Sequence, residues 1–364
     1  MHNAGERCPM KYLLEFSGEH PELPYSELRA LTDIYGSRNG IMILSRGIRV
    51  AVVESNDDTF LKVAGRLALT RCISELICEA CDHETILAEI PMHNLPAGTF
   101  SVRAVKYHER CDVSIGDGRE AAETKMPNAL FLQERFGAVI GKAHGLAVDL
   151  SDPKNEYRVI CDGNVVYFGR NVLQMKRRFF DERAAHHRPF FSPVTLHPSL
   201  ARLLVNLSRV REGETLLDPF CGTGGILIEA GLMGVNIVGS DIQRKMVEGT
   251  IKNLRHYGIE GDVHVENIGD IAESLVKNRR RIHAIATDPP YGRAATTAKE
   301  DVHSLYEKAF RAAVDILEPG RYLAIILPSL EFALRRGLGL KLIENHPMRV
   351  HRSLTRYFCV YRLC

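Results

Sequence analysis

Apolar positions along this chain keep two different rhythms, and the change from one to the other falls just past its middle. Lys11 to Ser17 alternate and predict a strand, and Leu28, Leu31 and Ile34 recur at helical spacing within Tyr25 to Tyr35. Ile41 to Glu54 predicts a hairpin turning at Arg46-Gly47. Phe60 to Cys78 sets Leu61, Ala64, Leu67 and Ala68 on one face and predicts a second helix, so the first stretch is a small α+β unit. From Glu84 to about Gly169 the order is helix, strand, helix, strand, hairpin. Thr99 to Lys106, Ala147 to Leu150 and Tyr157 to Phe168 are its strands, and Ala129 to Ala143 is an amphipathic helix.

From Pro198 onward helices alternate with short apolar runs, at Thr215 to Asp218, Asn236 to Asp241, Asp262 to Glu266, Ala284 to Asp288 and Tyr322 to Leu327. Alternation of this kind, with each run ending in an acid or a turn, predicts parallel strands joined by crossover helices. Lys341 to Glu344 and Tyr357 to Leu363 predict a closing antiparallel pair. The fold class is α/β: a doubly wound sheet in the C-terminal half, preceded by smaller α+β domains.

Composition narrows the class. A chain of 364 residues, 45% hydrophobic and 25% charged, has material for two or three globular domains. No apolar run approaches the length needed to cross a bilayer, so no membrane partner is expected. The first nine residues are polar and lack the apolar core of a signal peptide. Nine cysteines without a disulfide-like framework fit a reducing cytoplasm. Cys78-Glu-Ala-Cys81, with His83 close by, has the spacing of half a zinc site. No second Cys-x-x-Cys completes it, so the expectation is no metal, with a set of small buried thiols on a helix as the plainer reading. Net charge is only +2, yet Arg170, Lys176, Arg177, Arg178, Arg183 and Arg188 crowd a segment interleaved with Phe179, Phe180, Phe190 and Phe191. Fixed positive charge held by packed rings suits a phosphate track.

The candidate chemistry lies at strand ends. In Leu216-Leu-Asp218-Pro-Phe-Cys221-Gly222-Thr-Gly224-Gly225 a strand runs into glycines and then a helix, which places the loop where doubly wound sheets bind ligands. Leu227 stands where a dinucleotide fingerprint requires its third glycine, so S-adenosylmethionine is favoured over NAD. Cys221, Gly222 and Gly224 line that loop. Asp241, with Ile242 after it, ends the second strand, where a carboxylate can accept both ribose hydroxyls. Asp270 and Ile271 follow the third strand. Asp270 is read as an adenine contact, against its alternative as a helix cap. In Asp288-Pro289-Pro290-Tyr291-Gly292 two prolines hold a carboxylate and the carbonyl after it as an acceptor-only clamp, followed by an aromatic ring. Acceptors beside a stacking face suit a planar exocyclic amine, which offers only N–H donors until its lone pair attacks.

Together these motifs resemble the S-adenosylmethionine-dependent amino-group methyltransferases. Phe100-Ser-Val-Arg103-Ala-Val-Lys106 and Val148-Asp-Leu-Ser-Asp-Pro153 resemble the THUMP domain, an RNA-binding module of tRNA-modifying enzymes. Arg188-Pro-Phe-Phe-Ser-Pro-Val-Thr195-Leu-His197-Pro and Asp288-Pro-Pro-Tyr-Gly-Arg293, in this order along the chain, resemble the archaeal tRNA guanine-10 N2-methyltransferase family from about Met10 to the C-terminus. The resemblance implies four segments: a ferredoxin-like unit over 10–83, a THUMP-like domain over 84–169, a basic linker over 170–190 and a methyltransferase domain over 191–364. It implies Asp218 near the methionine ammonium, Thr195 over the methionyl end, His197 as a structural residue, and Asp288, Pro289 and Tyr291 at the target amine. Arg103, Lys106, Lys176, Arg177, Arg178 and Arg293 are the expected RNA contacts. The implied product is N2-methylguanosine, with N2,N2-dimethylguanosine often following. Some members use the third strand, here 262–266, to bind a small zinc-ribbon activator protein. Read from the residues alone, an enzyme for ribosomal RNA guanine or adenine N6, or a non-catalytic RNA-binding subunit, stays open.

Overall fold

The computed structural model describes residues 9–36, 40–107, 127–175, 178–192, 195–291, 302–333, 339–351 and 354–364. Lys176, Arg177 and Arg293 lie outside the described residues. The N-terminal elements are β1 (Met10–Phe16), α1 (Leu23–Tyr35), β2 (Met42–Arg46), β3 (Val50–Ser55), α2 (Asp57–Arg66), β4 (Thr70–Ala80), α3 (His83–Glu89), β5 (Phe100–Tyr107), α4 (Ala129–His144), β6 (Asn155–Asp162) and β7 (Val165–Gln174). There follow α5 (Arg178–Asp181), α6 (Pro198–Leu207), β8 (Thr215–Asp218), α7 (Gly225–Gly231), β9 (Asn236–Asp241), α8 (Arg244–His256), β10 (Asp262–Val265), α9 (Ile268–Lys277), β11 (Ile282–Thr287), α10 (Val302–Ile316), β12 (Leu317–Leu327), α11 (Leu330–Ala333), β13 (Leu340–His351) and β14 (Leu354–Leu363).

Two compact units result. One comprises Met1–Pro21, Ser37–Phe60 and Thr70–Met175, the other Glu22–Gly36, Leu61–Leu69 and Lys176–Cys364. In the first, a single sheet runs in the order β2-β3-β1-β4-β7-β6-β5, so strands from both expected N-terminal segments share one ladder. The helix expected over Phe60 to Cys78 ends at Arg66, and Thr70–Ala80 is a strand. Leu61 is 68% exposed whereas Val63 and Leu67 are buried, so the apolar face is not the one Leu61 suggests, and the β-branched Thr70 and Ile73 continue in extended form. Ala147 to Leu150 makes only an isolated bridge, Phe100 to Val148. The Asp149 carboxylate accepts from the backbone N–H groups of Ser151 and Asp152 and turns the chain there.

The second unit holds the sheet β10-β9-β8-β11-β12-β14-β13, parallel through β12 and closed by the antiparallel β14 and β13. Apolar clusters cover its two faces. Leu203, Leu204, Ile226 and Ile228 sit on one side and Ile271, Tyr306, Phe310 and Ala313 on the other. Strands apolar on both sides require this double cover. Helix α6 is buried along its whole length, with α1 packed beside it. The Glu27 carboxylate, on α1, accepts from Ala68 N, Leu69 N and Asn206 Nδ2 at 2.9, 2.9 and 2.8 Å. Burial nevertheless pushes that carboxyl up to about 7. No helix among the described residues is long and apolar enough to cross a membrane.

Candidate active site

The strand order turns back at β8, which has β9 on one side and β11 on the other. In open parallel sheets the crevice outside such a point is the ligand site. Three carboxylates mark it: Asp218 and Asp241 end β8 and β9, and Asp288 follows β11.

Asp218 is 1% exposed and accepts from Thr287 Oγ1 at 2.7 Å and Phe220 N at 3.2 Å. Burial pushes its carboxyl up to about 7, those two hydrogen bonds oppose the rise, and the Asp288 and Asp241 charges add to it. Asp241 accepts from Gly222 N at 3.1 Å through one oxygen and from Gln243 N at 2.8 Å through the other. Each oxygen keeps a lone pair for a further donor. Burial raises this carboxyl as well.

Between them the loop takes two left-handed residues, Gly222 (φ 52) and Gly224 (φ 80). A Cβ on Gly224 would stand 2.9 Å from Thr250 Cγ2, whereas one on Gly222 would meet nothing within 4 Å. Gly222 therefore faces open space. Thr250 Oγ1 donates to Gly222 O at 2.7 Å, and Asn253 Nδ2 donates to Thr223 O and Phe190 O at 2.9 and 3.0 Å. Phe190 N donates back to Asn253 Oδ1 at 2.9 Å, so one side chain on α8 ties the segment before α6 to the loop. Cys221 is buried, and burial puts its thiol well above the usual range, so it packs as a neutral group.

Thr195 lies beside the loop, donating to Ser192 O at 2.8 Å with its hydroxyl 3.4 Å from that of Thr223. The ring nitrogen of His197 accepts from Ser199 N and caps α6. Asp270 sits in the first turn of α9, accepting from Asn267 Nδ2 at 2.6 Å, and Asn267 is the cap. Ile271 is buried and Ile242 exposed.

On the acceptor side, the Tyr291 hydroxyl donates to the Asp288 carboxylate. Tyr306 Oη donates to Pro290 O at 3.1 Å and fixes the proline turn from α10. Pro289 is buried, Tyr291 half-buried. Burial raises the Asp288 carboxyl, and the Arg356 charge and the Tyr291 hydrogen bond oppose it. Thr250, Asn253, Thr287 and Tyr306 escape sequence reading. A lone hydroxyl or amide on a helix or strand carries no motif, and only Thr287, adjoining Asp288, could have been suspected.

The basic segment divides. Arg183 donates to both oxygens of the buried Glu229 at 2.8 and 3.1 Å, Arg202 donates to it at 2.8 Å, and Arg188 is itself buried. Arg183 and Arg188 are therefore core residues and no part of a phosphate track. Arg178 is exposed and pairs with Glu182, and Arg170 pairs with Glu75. In the first unit Arg103 is exposed and pairs with Glu156 at 2.9 Å, while Lys106, next to last on β5, is half-buried. Cys78 lies on β4, not on a helix, and Cys81 is exposed. The Cys78 thiol, a Glu89 oxygen and a His93 ring nitrogen lie within 4.8 Å of one another. Burial pushes that thiol up to about 12.

Residues 185–357 match the family model described as an RMKL-like methyltransferase domain. The crystal structure of TrmN from Thermus thermophilus is similar to this chain, with a TM-score of 0.54 and 22% identity over 97% of this chain and 100% of that one. A putative methyltransferase complexed with SAH aligns at a TM-score of 0.52 and 15% identity, covering 97% of this chain and 98% of its own. A doubly wound sheet, a glycine loop between two carboxylates and a D-P-P-Y turn at the next strand define an S-adenosylmethionine-dependent methyltransferase. Glycines that admit a ligand's backbone-close approach and carboxylates with free lone pairs fit that methyl donor.

A tRNA (guanine(10)-N2)-dimethyltransferase from Methanothermobacter thermautotrophicus is 36% identical over 95% of this chain and 98% of its own. One from Pyrococcus abyssi is 35% identical over 96% and 98%. The chain belongs to the tRNA (guanine(10)-N2)-dimethyltransferase family.

Proposed function

We propose that this protein transfers methyl groups from S-adenosylmethionine to the exocyclic N2 of guanosine 10 in tRNA, giving N2-methylguanosine and then N2,N2-dimethylguanosine. The observation that carries this reading is the Asp288-Pro-Pro-Tyr291 turn at the carboxyl end of β11, beside the glycine loop, in a chain that matches its relatives along nearly their whole length. S-adenosylmethionine supplies a methyl already activated on a sulfonium. Asp241 takes the ribose, Asp218 the methionine ammonium, Thr195 the methionyl end and Asp270 the adenine, with Cys221, Gly222, Gly224, Ile242 and Ile271 as the walls. Asp288 and the Pro289 carbonyl accept the amine's two N–H groups and leave its lone pair facing the sulfonium methyl. Alignment of this kind is worth about 7–11 kcal/mol, so no strong base is required. The amine turns acidic as it is alkylated, and Asp288 or water takes the proton late. Tyr291 stacks on the base, which is flipped from its pair.

We assign RNA affinity to the THUMP-like segment 84–169, through Arg103 and Lys106, to the basic segment, through the exposed Arg178 together with Lys176 and Arg177, and to Arg293 after the D-P-P-Y turn. The cytoplasm is the expected compartment. Labelled methyl transfer to tRNA, followed by nucleoside analysis, tests the reading: label in N2-methylated guanosine at position 10 supports it, and label in adenine or in ribosomal RNA alone overturns it.

A protein partner of zinc-ribbon type at β10 is the finer expectation. Among the described residues β10 pairs only with β9 and Val265 is 40% exposed, which supports an edge open to strand addition.

A further inference from the structure

The acceptor side contains a cation that no motif announced. Arg356 lies on β14 opposite Met348 of β13. Alternation along the strand sets it on the same face as Phe358 and Val360, against whose apolar cluster Tyr291 and Met348 also pack. Its guanidinium carbon stands 5.7 Å from the centre of the Tyr291 ring, and its Nε is buried without a hydrogen-bond partner. The Tyr291 hydroxyl in turn donates to the Asp288 carboxylate. Guanidinium, ring and carboxylate form one line from β14 to the end of β11.

We propose that Arg356 is a positioning residue of the acceptor pocket: from its place over Tyr291 it holds Asp288 in the charged form, which can only accept hydrogen bonds. The inference rests on the acceptor role of Asp288 given above. The chemistry makes the charge decisive. An ionised carboxylate can only accept, and so takes the N–H of an arriving amine that the Pro289 carbonyl does not, whereas a neutral carboxylic acid presents a proton of its own toward the amine. Among the described residues, the titratable groups that face Asp288 are Asp218 at the end of β8, Tyr291 on its own loop, Tyr306 on α10 and Arg356 on β14. Burial disfavours the charge on Asp288, and of these four only Arg356 carries positive charge. A guanidinium serves better than an ammonium, because it lies flat on the ring and is more weakly hydrated.

The test titrates Asp288 directly, by the 13C shift of its carboxyl in the complex with S-adenosylhomocysteine, assigned with Asp288→Asn. Arg356→Gln is expected to move the midpoint to higher pH, and Arg356→Lys to move it less. Calorimetry should give the same S-adenosylhomocysteine affinity for all three proteins, which also shows that the variants fold. In kcat/KM for tRNA, the Gln variant should lose more at low pH than at high pH, by a factor of ten for each unit that the titration is displaced. An unmoved midpoint in Arg356→Gln overturns the proposal, as does a Lys variant that titrates no lower than Gln. Because the midpoint is read without turnover, an unaltered protein inactive on tRNA would overturn the functional reading and leave this result standing.

Discussion

The three aspartates at neighbouring strand ends carry different proposed roles, and substitution tests them one by one. Asp288→Ala should abolish methyl transfer while leaving cofactor affinity nearly intact, since that carboxylate meets Tyr291 on the acceptor side. Asp241→Ala should weaken the cofactor by the roughly 1.5–3 kcal/mol of a hydrogen bond to a charged group. Calorimetry on both variants decides it, and an equal loss in the two would reverse the assignment. Asp218 predicts a pH dependence. A carboxyl that titrates at about 7 is charged above that pH and neutral below it, so its hold on an ammonium is present at pH 8 and lost as pH falls through 7. Cofactor affinity should fall about tenfold per pH unit below that point, and Asp218→Asn should flatten the profile. These carboxylates were legible because each ends an apolar run. Thr250 and Asn253 were not, because their partners are backbone atoms far along the chain.

At the scale of elements, the segment entering α6 is held by charge inside the protein. Glu229 on α7 answers Arg183 and Arg202 together, so Glu229→Ala leaves two guanidinium groups without their counter-charge. Removing one partner of a buried ion pair costs about 3–5 kcal/mol, and chemical denaturation should register a loss of that size. A surface ion pair such as Arg178–Glu182 should register almost nothing. Counting Arg183 and Arg188 into a solvent-facing basic track failed for a physical reason: a count of charges along a sequence does not say which of them fold inward. The parallel strands were legible for the opposite reason, since burial on both faces writes itself as unbroken apolar runs. At the edge, His264→Pro removes a ladder donor from β10. Co-purification with a zinc-ribbon activator and the activity it supports should both fall, and an unchanged yield with unchanged activity would place that partner elsewhere.

For the whole molecule, the boundary between units does not follow the order of the chain. Glu22–Gly36 and Leu61–Leu69 belong with the catalytic sheet although some hundred residues separate them from its other parts. A fragment beginning at Arg188 lacks Glu27, Arg66 and Arg183, the partners of Asn206, Val210 O and Glu229. It should be poorly soluble and bind cofactor weakly, whereas a version supplied with residues 22–69 in trans should recover binding. A fragment as stable as the intact protein would refute this. Periodicity gave α1 its length, and nothing in its sequence announced which sheet it would join.

The Glu27–Asn206 hydrogen bond spans 179 residues. Ribosomes add about 5–20 residues per second, so α1 emerges roughly 10–40 seconds before the helix it will lie against. Through that interval its apolar face is without its final neighbour. Folding of the catalytic unit therefore waits for α6 to be made, and until then α1 is open to chaperone capture and to proteolysis.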